Sequence, residues 1–259
     1  MYELRDRTGS VASIPLICSS ILSKKLSTGA EKLVINLKYG NGAFISSYDE
    51  AIILKEYMLC VCEKNNVPAR IIIEETNQPI ANVIGTGLEI QNIYSILNNE
   101  LDVCEREDHL IEVSLNIAAE MLSLAKGIPY EDAEAQCLTA WDSGAAKRVF
   151  EKMIKAQNGR LNDLMKELPK NQYKVTALSA GVVHTINTIK VGQLVNDYAA
   201  SDEYEYGIDP LFGIKLEKHL GDPVKPKDTL VTIFYNDSLD KRKLQSLIDE
   251  LASCYKIKK

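Results

Sequence analysis

The residues with the most suggestive chemistry in this chain are Ser20 and Lys24, which stand four positions apart. Residues with this spacing share one face of an α-helix, and Ile17 and Ile21 border them on that helix. Arg5, a short distance upstream, adds a planar guanidinium with several N–H donors. A hydroxyl, an ammonium and a guanidinium beside apolar walls can together bind the edge of a planar heterocycle such as a pyrimidine, which carries carbonyl acceptors and an imide N–H.

A helix over 13–25 is expected to carry these groups. Ser13 is a suitable N-cap, Pro15 falls in the first turn where its missing N–H costs nothing, and an apolar run follows. An ordinary amphipathic helix with a solvated lysine and an Arg5–Asp6 surface pair would explain the same residues. Taken alone, the residue pattern favours that simpler explanation.

Strands and helices alternate along the first part of the chain. KLVINL at 32–37 and ARIIIEE at 69–75 are predicted strands, and an amphipathic helix over 49–63, opened by an Asp cap, separates them. Two strands joined through a helix form a right-handed crossover in a parallel sheet. Further helices are predicted near 88–97, 108–125, 130–143 and 145–157. Beyond Pro169, apolar runs separated by Gly, Pro and Asp turns favour β-rich structure closed by a helix over 241–255.

Composition is typical of a soluble globular enzyme. The 259 residues are 46% hydrophobic and 25% charged, which is enough for a sizeable core. No apolar stretch reaches the roughly 18–20 residues of a membrane span and no secretory leader is recognised, so we expect a cytoplasmic protein that binds no membrane. The formal net charge of −6 argues against binding to nucleic acid. Without CxxC spacing, the cysteines are expected to be reduced and buried rather than metal ligands: Cys18, Cys60, Cys62, Cys104, Cys137 and Cys254.

One stretch resembles a known family. YELRDRTGSVASIPLICSSILSKK, at 2–25, is similar to the base-binding segment of pyrimidine-nucleoside phosphorylases, a family that includes thymidine phosphorylases. The resemblance runs through nearly the whole chain: it is strong over 2–97, weaker through the following helices, and recognisable again over 208–234, which includes a Gly-Asp-x-Val turn at 221–224. It implies an α/β fold: a helical base-binding segment over 1–27 from the small helical domain, a truncated parallel-sheet α/β domain over 28–168 that is helix-rich in its second half, and a C-terminal α+β lobe over 169–259.

The resemblance also assigns a substrate site. It implies that Arg5, Ser20 and Lys24 are the catalytic polar contacts to the pyrimidine. The apolar lining is implied to be Tyr2, Ile17 and Ile21, with Phe44 of KYGNGAF closing the base pocket. The implied reaction is that of a glycosyltransferase of pyrimidine salvage: phosphorolysis of thymidine or uridine to the free base and (deoxy)ribose 1-phosphate, with phosphate as co-substrate.

Several departures from the family pattern bear on activity. The family's Lys-His-Ser-Thr-Gly-Gly phosphate segment is not found in these 259 residues. Gly40-Asn41-Gly42 lacks the lysine and hydroxyl of a phosphate loop, so it is interpreted as a turn that supports Phe44. We therefore expect the isolated chain to be inactive, and active only if a missing N-terminal half is supplied. An unpaired sheet edge would also favour a partner chain or self-association.

The family's monovalent-cation site is altered too. The resemblance places its carbonyl ligands at Ile80 and Val83 and puts Asn92 where the family has a glutamate, which makes K⁺ binding doubtful. No other cofactor is expected. The alternative hypothesis is a truncated pseudoenzyme or interaction module without phosphorolysis activity. A phosphoribosyltransferase fits less well because no diphosphate-binding segment is found.

Overall fold

The computed structural model describes residues 7–11, 13–99, 109–167, 169–202, 204, 207–237 and 239–259. The fold is mixed α/β, with parallel and antiparallel sheets, as expected. The packing forms two compact units, one from residues 1–77 with 112–138 and the other from 78–111 with 139–259. The three segments implied by the family resemblance divide the chain differently, and that division stays a prediction.

The predicted elements are found with small changes at their ends. The helices are α1 Ile14–Ser27, α2 Tyr48–Lys64, α3 Thr86–Leu97, α4 His109–Lys126, α5 Tyr130–Asp142, α6 Ala145–Ala156, α7 Leu161–Leu164, α8 Thr188–Ala199 and α9 Lys241–Ser253. The strands are β1 Leu33–Tyr39, β2 Ala69–Glu75, β3 Val83–Ile84, β4 Asn171–Thr176, β5 Gly181–Ile186, β6 Gly213–Leu216, β7 Pro223–Val224, β8 Thr229–Tyr235 and β9 Tyr255–Lys258. Helix α8 was not predicted, because the region beyond Pro169 was interpreted as β-rich.

The first unit is built on the predicted parallel crossover. Strands β1 and β2 pair in parallel from Leu33 opposite Ala69 to Tyr39 opposite Glu75. Alternate side chains of both strands point to one face, where helices α1 and α2 cover them. Leu22, Leu54 and Met58 are at most 2% exposed in this core. Burying a side chain of this size contributes about 1.5–3 kcal/mol each, which fixes α1 against the sheet.

Polar side chains occupy the opposite face of the same two strands. Asn36 donates to the Glu74 carboxylate at 2.9 Å, and Lys38 forms an ion pair with the same oxygen. Arg70 pairs with Glu120 of α4, while Lys32 donates to the carbonyls of two residues near the end of that helix at 2.8 and 3.0 Å. Helix α4 is therefore attached to this side of the sheet through ionic and hydrogen-bonded contacts.

Helix α2 begins differently from the prediction. Its N-cap is Ser47, whose side chain accepts a hydrogen bond from the Glu50 main-chain N–H at 3.3 Å, and not an aspartate. The Glu50 carboxylate in turn accepts from the main-chain N–H and the hydroxyl of Ser46. This reciprocal capping arrangement lowers the pKa of Glu50, chiefly through the hydrogen bond from the Ser46 hydroxyl. Asp49 lies one residue into the helix, so the predicted Asp cap was wrong.

The second unit contains two antiparallel sheets, with strand orders β3-β6-β8-β4 and β7-β5-β9. Helices α8 and α9 pack on these sheets around a core that includes Ile186, Ile214, Ile233 and Leu247, each fully buried. Among the described residues, no helix combines the length and apolar character that a membrane span requires.

Candidate functional site

Helix α1 positions the polar pair that the sequence predicted. Ser20 and Lys24 are one turn apart, with Ser20 half-buried and Lys24 exposed. At about 100° per residue, the buried Cys18 defines the core side of the helix, and Ile17 and Ile21 fall between that side and the polar pair. The hydroxyl and the ammonium therefore border an apolar wall.

The same core anchors the loop that carries Phe44. Ile17 and Ile21 pack against the apolar core of the first unit, which also contains Ile45 at 5% exposure. Phe44 itself is 76% exposed. Helix α1 and the Phe44 loop are thus tied to one core, each presenting candidate site residues at its surface. Tyr2 and Arg5 lie outside the described residues, and their roles stay predictions.

The loop between β1 and α2 has its backbone donors already engaged. The N–H of Gly40 donates to the Ile45 carbonyl at 2.9 Å, and that of Ala43 donates to the Gly40 carbonyl at 3.1 Å. The N–H of Gly42 donates to a carbonyl at the end of β2, and that of Asn41 donates to a side chain there, both at 2.9 Å. Because these four groups have acceptors, the loop is a supporting turn and not a ready anion cradle.

The residues of the suggested cation site belong to the second unit. The N–H of Leu216 donates to the Asn82 carbonyl at 2.7 Å, which makes 82 and 216 a hydrogen-bonded pair of the β3–β6 ladder. In an antiparallel ladder the next residue, Val83, then directs its own carbonyl away from β6. Strand β3 is the edge of its sheet, so this carbonyl faces outward.

Asn92, on α3, has a buried side-chain nitrogen without a hydrogen-bond partner in the described part of the chain. An orphaned buried amide of this kind indicates that a polar neighbour is missing. The oxygen and nitrogen of an asparagine amide are interchangeable in shape, so the same position can present Oδ1. Asn92 thus carries an unsatisfied amide, and the Val83 carbonyl takes no part in the β3–β6 ladder.

Asp209 lies in the loop before β6. It is only 3% exposed, and it accepts hydrogen bonds from the Leu211 N–H at 2.9 Å and from the Asn236 side chain at 3.1 and 3.3 Å. The side chain also borders a cavity of about 540 Å³ between α8 and α9. Because protein donors satisfy this carboxylate, its role is to hold the loop before β6.

Two polar arrangements at the carboxyl ends of β1 and β2 were not predicted from the sequence. One is the Lys38–Glu74 pair, in which Glu74 is 9% exposed. The other joins Asn41 to Asn77. Parallel pairing of the two strands was predicted, but these contacts depend on its register, with Lys38 directly opposite Glu74. The carboxyl edge of a parallel sheet is where α/β proteins commonly bind ligands.

The fold and the candidate site define an α/β protein with a polar pair on its first helix. No family model matches the chain. The pyrimidine-nucleoside phosphorylase of Staphylococcus aureus strain bovine RF122 / ET3-1 is 36% identical over 243 residues, which cover 91% of this chain and 55% of that protein. The proteins of the same name from strains USA300 and NCTC 8325 / PS 47 are 35% identical with the same coverage.

The resemblance recognised in the sequence is therefore confirmed. This chain is a homologue of pyrimidine-nucleoside phosphorylases over 91% of its length. It spans about half the length of the curated relatives that it matches.

Proposed function

We propose that this chain is the base-binding part of a pyrimidine-nucleoside phosphorylase, which converts thymidine or uridine and phosphate into the free base and (deoxy)ribose 1-phosphate. The observation that carries the proposal is the position of Ser20 and Lys24 on α1, beside Ile17 and Ile21, in a chain homologous to these enzymes over 91% of its length. A hydroxyl and an ammonium at the edge of an apolar wall suit a flat ring with polar edges.

The proposed chemistry is electrostatic. As the base leaves C1′ of the sugar and phosphate enters from the opposite face, positive charge develops on the sugar and negative charge on the pyrimidine. Lys24 and Arg5 would stabilise that negative charge at the ring carbonyl oxygens, and Ser20 would orient the imide edge. None of these groups has to accept or donate a proton for the base to leave as an anion.

The phosphate site is proposed to come from polypeptide outside these 259 residues, on the same or on a separate chain. Two observations support this assignment. The sequence has no Lys-His-Ser-Thr-Gly-Gly segment, and the donors of the Gly40–Ala43 turn are already engaged. Phosphorolysis requires the oxyanion to be held beside the anomeric carbon, which places the added segment close to α1.

The added polypeptide is proposed to contribute a strand beside β2. The N–H of Leu33 donates to the Pro68 carbonyl at 3.0 Å, and the N–H of Thr76 donates to the Tyr39 carbonyl at 2.7 Å. This pattern turns the main-chain groups of Ile71 and Ile73 toward the outer edge of β2, where no hydrogen-bond partner for them is found within the described residues. Parallel sheets of only two strands are rare, because such sheets are normally larger and covered on both faces.

The decisive experiment compares the chain alone with the chain co-expressed with the part of the Staphylococcus aureus relative that it does not cover. Thymine and uracil binding is measured by calorimetry, and phosphate-dependent release of base from thymidine and uridine is followed by ultraviolet absorbance. We expect base binding in both samples, phosphorolysis only in the second, and slower amide exchange at Ile71 and Ile73 in the complex.

The experiment gives a different result for each alternative to the proposed function. Turnover by the chain alone would contradict the proposed origin of the phosphate site. Binding of base without turnover in the assembled sample would favour a pseudoenzyme or interaction module. Absence of base binding in both samples would exclude the proposed function.

We also propose that K⁺ binds weakly to the carbonyls of Ile80 and Val83 and to the side chain of Asn92. When bound, the cation would hold β3 and the middle of α3 together. Thermal unfolding of the chain is measured in KCl and in choline chloride at equal ionic strength. K⁺ at ten times its dissociation constant is expected to stabilise the fold by about 1.4 kcal/mol, and Asn92→Leu is expected to abolish the difference. Equal unfolding temperatures in the two salts would refute the site.

A further inference from the structure

The loop that presents Phe44 is attached to the end of β2 by a reciprocal pair of asparagines. The side-chain oxygen of Asn77 accepts a hydrogen bond from the main-chain N–H of Asn41 at 2.9 Å. The side-chain nitrogen of Asn41 donates in turn to the main-chain carbonyl of Asn77 at 3.1 Å. Each residue thus uses its side chain to bind the backbone of the other, across two segments separated by α2.

A carboxylate fixes the orientation of the Asn77 amide. The side-chain nitrogen of Asn77 donates to the carboxylate of Glu75, the last residue of β2. Since the nitrogen is held by an acceptor that cannot donate, the side-chain oxygen must face the Asn41 N–H. The Asn77 amide therefore has only this orientation, and the flipped orientation, with its nitrogen toward Asn41, is excluded.

The approach of the two segments is too close for any residue but glycine at position 40. Gly40 has a φ of +116°, and a Cβ at this position would lie 2.7 Å from the Asn77 side-chain oxygen. Glycine alone adopts this backbone conformation without strain and leaves room for the amide. The close contact with the Asn77 side chain thus requires both the glycine at position 40 and the asparagine at position 41.

The position of the Phe44 ring depends on this contact. The ring is 76% exposed, so side-chain packing contributes little to fixing it. Its backbone is held on one side by Ile45, which is 5% exposed, and on the other by the asparagine pair and the bond from the Gly42 N–H to Thr76. An exposed aromatic side chain can present a fixed surface to a ligand only if its backbone is held rigidly.

We propose that Asn77 is a positioning residue, which through Asn41 fixes the loop so that Phe44 is preorganised to contact the pyrimidine. This inference rests on the proposed function only for the identity of the ligand. The effect of Asn77 on the position of Phe44 follows from the contacts of the chain itself and can be measured without any ligand.

The experiment uses the full chain labelled with 4-fluorophenylalanine. The sequence has four phenylalanines, and a Phe44→Leu variant assigns the resonance of Phe44 among them. In Asn77→Ala we expect the ¹⁹F signal of Phe44 to shift or broaden while the other three signals stay unchanged. Dissociation constants for thymine and uracil are expected to rise roughly tenfold, because the loop must now be ordered on binding.

Further variants distinguish the loss of Phe44 positioning from a general loss of folded structure. Asn65→Ala is the control, because the Asn65 side chain is exposed and, like that of Asn41, donates to a backbone carbonyl, but at the opposite end of α2 from the Phe44 loop. The double variant Glu75→Gln with Asn77→Asp exchanges donor and acceptor between those positions and keeps the acceptor for Asn41, so it should restore the Phe44 signal. If Asn77→Ala does not fold, Asn41→Ala removes the other half of the pair from an exposed position.

The outcomes distinguish this inference from the proposed function. An unchanged Phe44 signal in a folded Asn77→Ala or Asn41→Ala variant would overturn the positioning role. A changed signal with unchanged base affinity, in a chain that binds base, would also overturn it. Failure of the unsubstituted chain to bind thymine or uracil would instead contradict the proposed function, whatever the ¹⁹F spectra show.

Discussion

Replacing Lys24 by alanine is expected to lower kcat/KM for thymidine and uridine about 100-fold in the proposed assembled phosphorylase, a loss of about 2.7 kcal/mol in transition-state stabilisation. The ammonium lies on the exposed side of α1, beside the half-buried Ser20 and the apolar wall of Ile21. It would meet the negative charge that develops on the departing base, so the loss should appear mainly in kcat.

Lys25→Ala is the matched control for this prediction. Lys25 is also exposed, and its replacement by alanine removes the same charge. It lies about 100° around α1 from Lys24. Activity is therefore expected to stay within about twofold in this variant, because long-range charge alone has a small effect at physiological salt. Equal losses in both variants would indicate a general electrostatic effect, and no loss in either would remove Lys24 from the site.

Gly87→Ala is expected to destabilise the second unit by about 3 kcal/mol, because a methyl group cannot be accommodated there. An added Cβ would lie 2.1 Å from the Pro210 carbonyl oxygen and 3.3 Å from a methyl group of Leu164. The N–H of Gly87 also donates to that same carbonyl at 2.8 Å. Moving the carbonyl to relieve the clash would therefore break a hydrogen bond, so relaxation has a cost of its own.

Urea unfolding followed by the fluorescence of Trp141 measures this effect, since the indole N–H donates to the carbonyl of Ile96 at the end of α3. Gly192→Ala is the control. Position 192 lies within α8 and an added Cβ there would meet no atom within 4 Å, so alanine should be neutral or stabilising by up to about 1 kcal/mol. If Gly87→Ala unfolds at the same urea concentration as the unsubstituted chain, the close approach of α3 to Pro210 is not as described.

Local patterns predicted most of the described helices, together with strands β1 and β2, because each has a strong period of its own. Strand β2 was predicted at its observed bounds, and the predicted helices were within two residues of the observed ones. Helix α8 was missed because its β-branched residues and internal Gly192 favour other structures locally. Its formation is explained by tertiary burial, since Val191, Leu194 and Val195 are at most 6% exposed.

The start of α2 is a second feature that the local sequence pattern did not determine. Ser47 and Asp49 are both good N-cap residues, and the sequence pattern suits either one. Ser47 takes the role because Glu50 lies three residues later and turns back to Ser46, which completes a capping arrangement. The choice depends on how the chain enters the helix from the buried Ile45, and local propensity does not determine that direction.

By itself, the sequence determined the resemblance to pyrimidine-nucleoside phosphorylases and the parallel crossover of the first unit. It also determined the alignment of Ser20 with Lys24, because a helical period of 3.6 residues places them on one face wherever the helix lies. Only the tertiary structure decided the contacts at the carboxyl ends of β1 and β2. The register of β1 against β2 brings Lys38 to Glu74, and the return of the chain after β2 brings Asn77 to Asn41. Such contacts join residues 36 positions apart, and their geometry depends on how the intervening helix packs rather than on any local pattern.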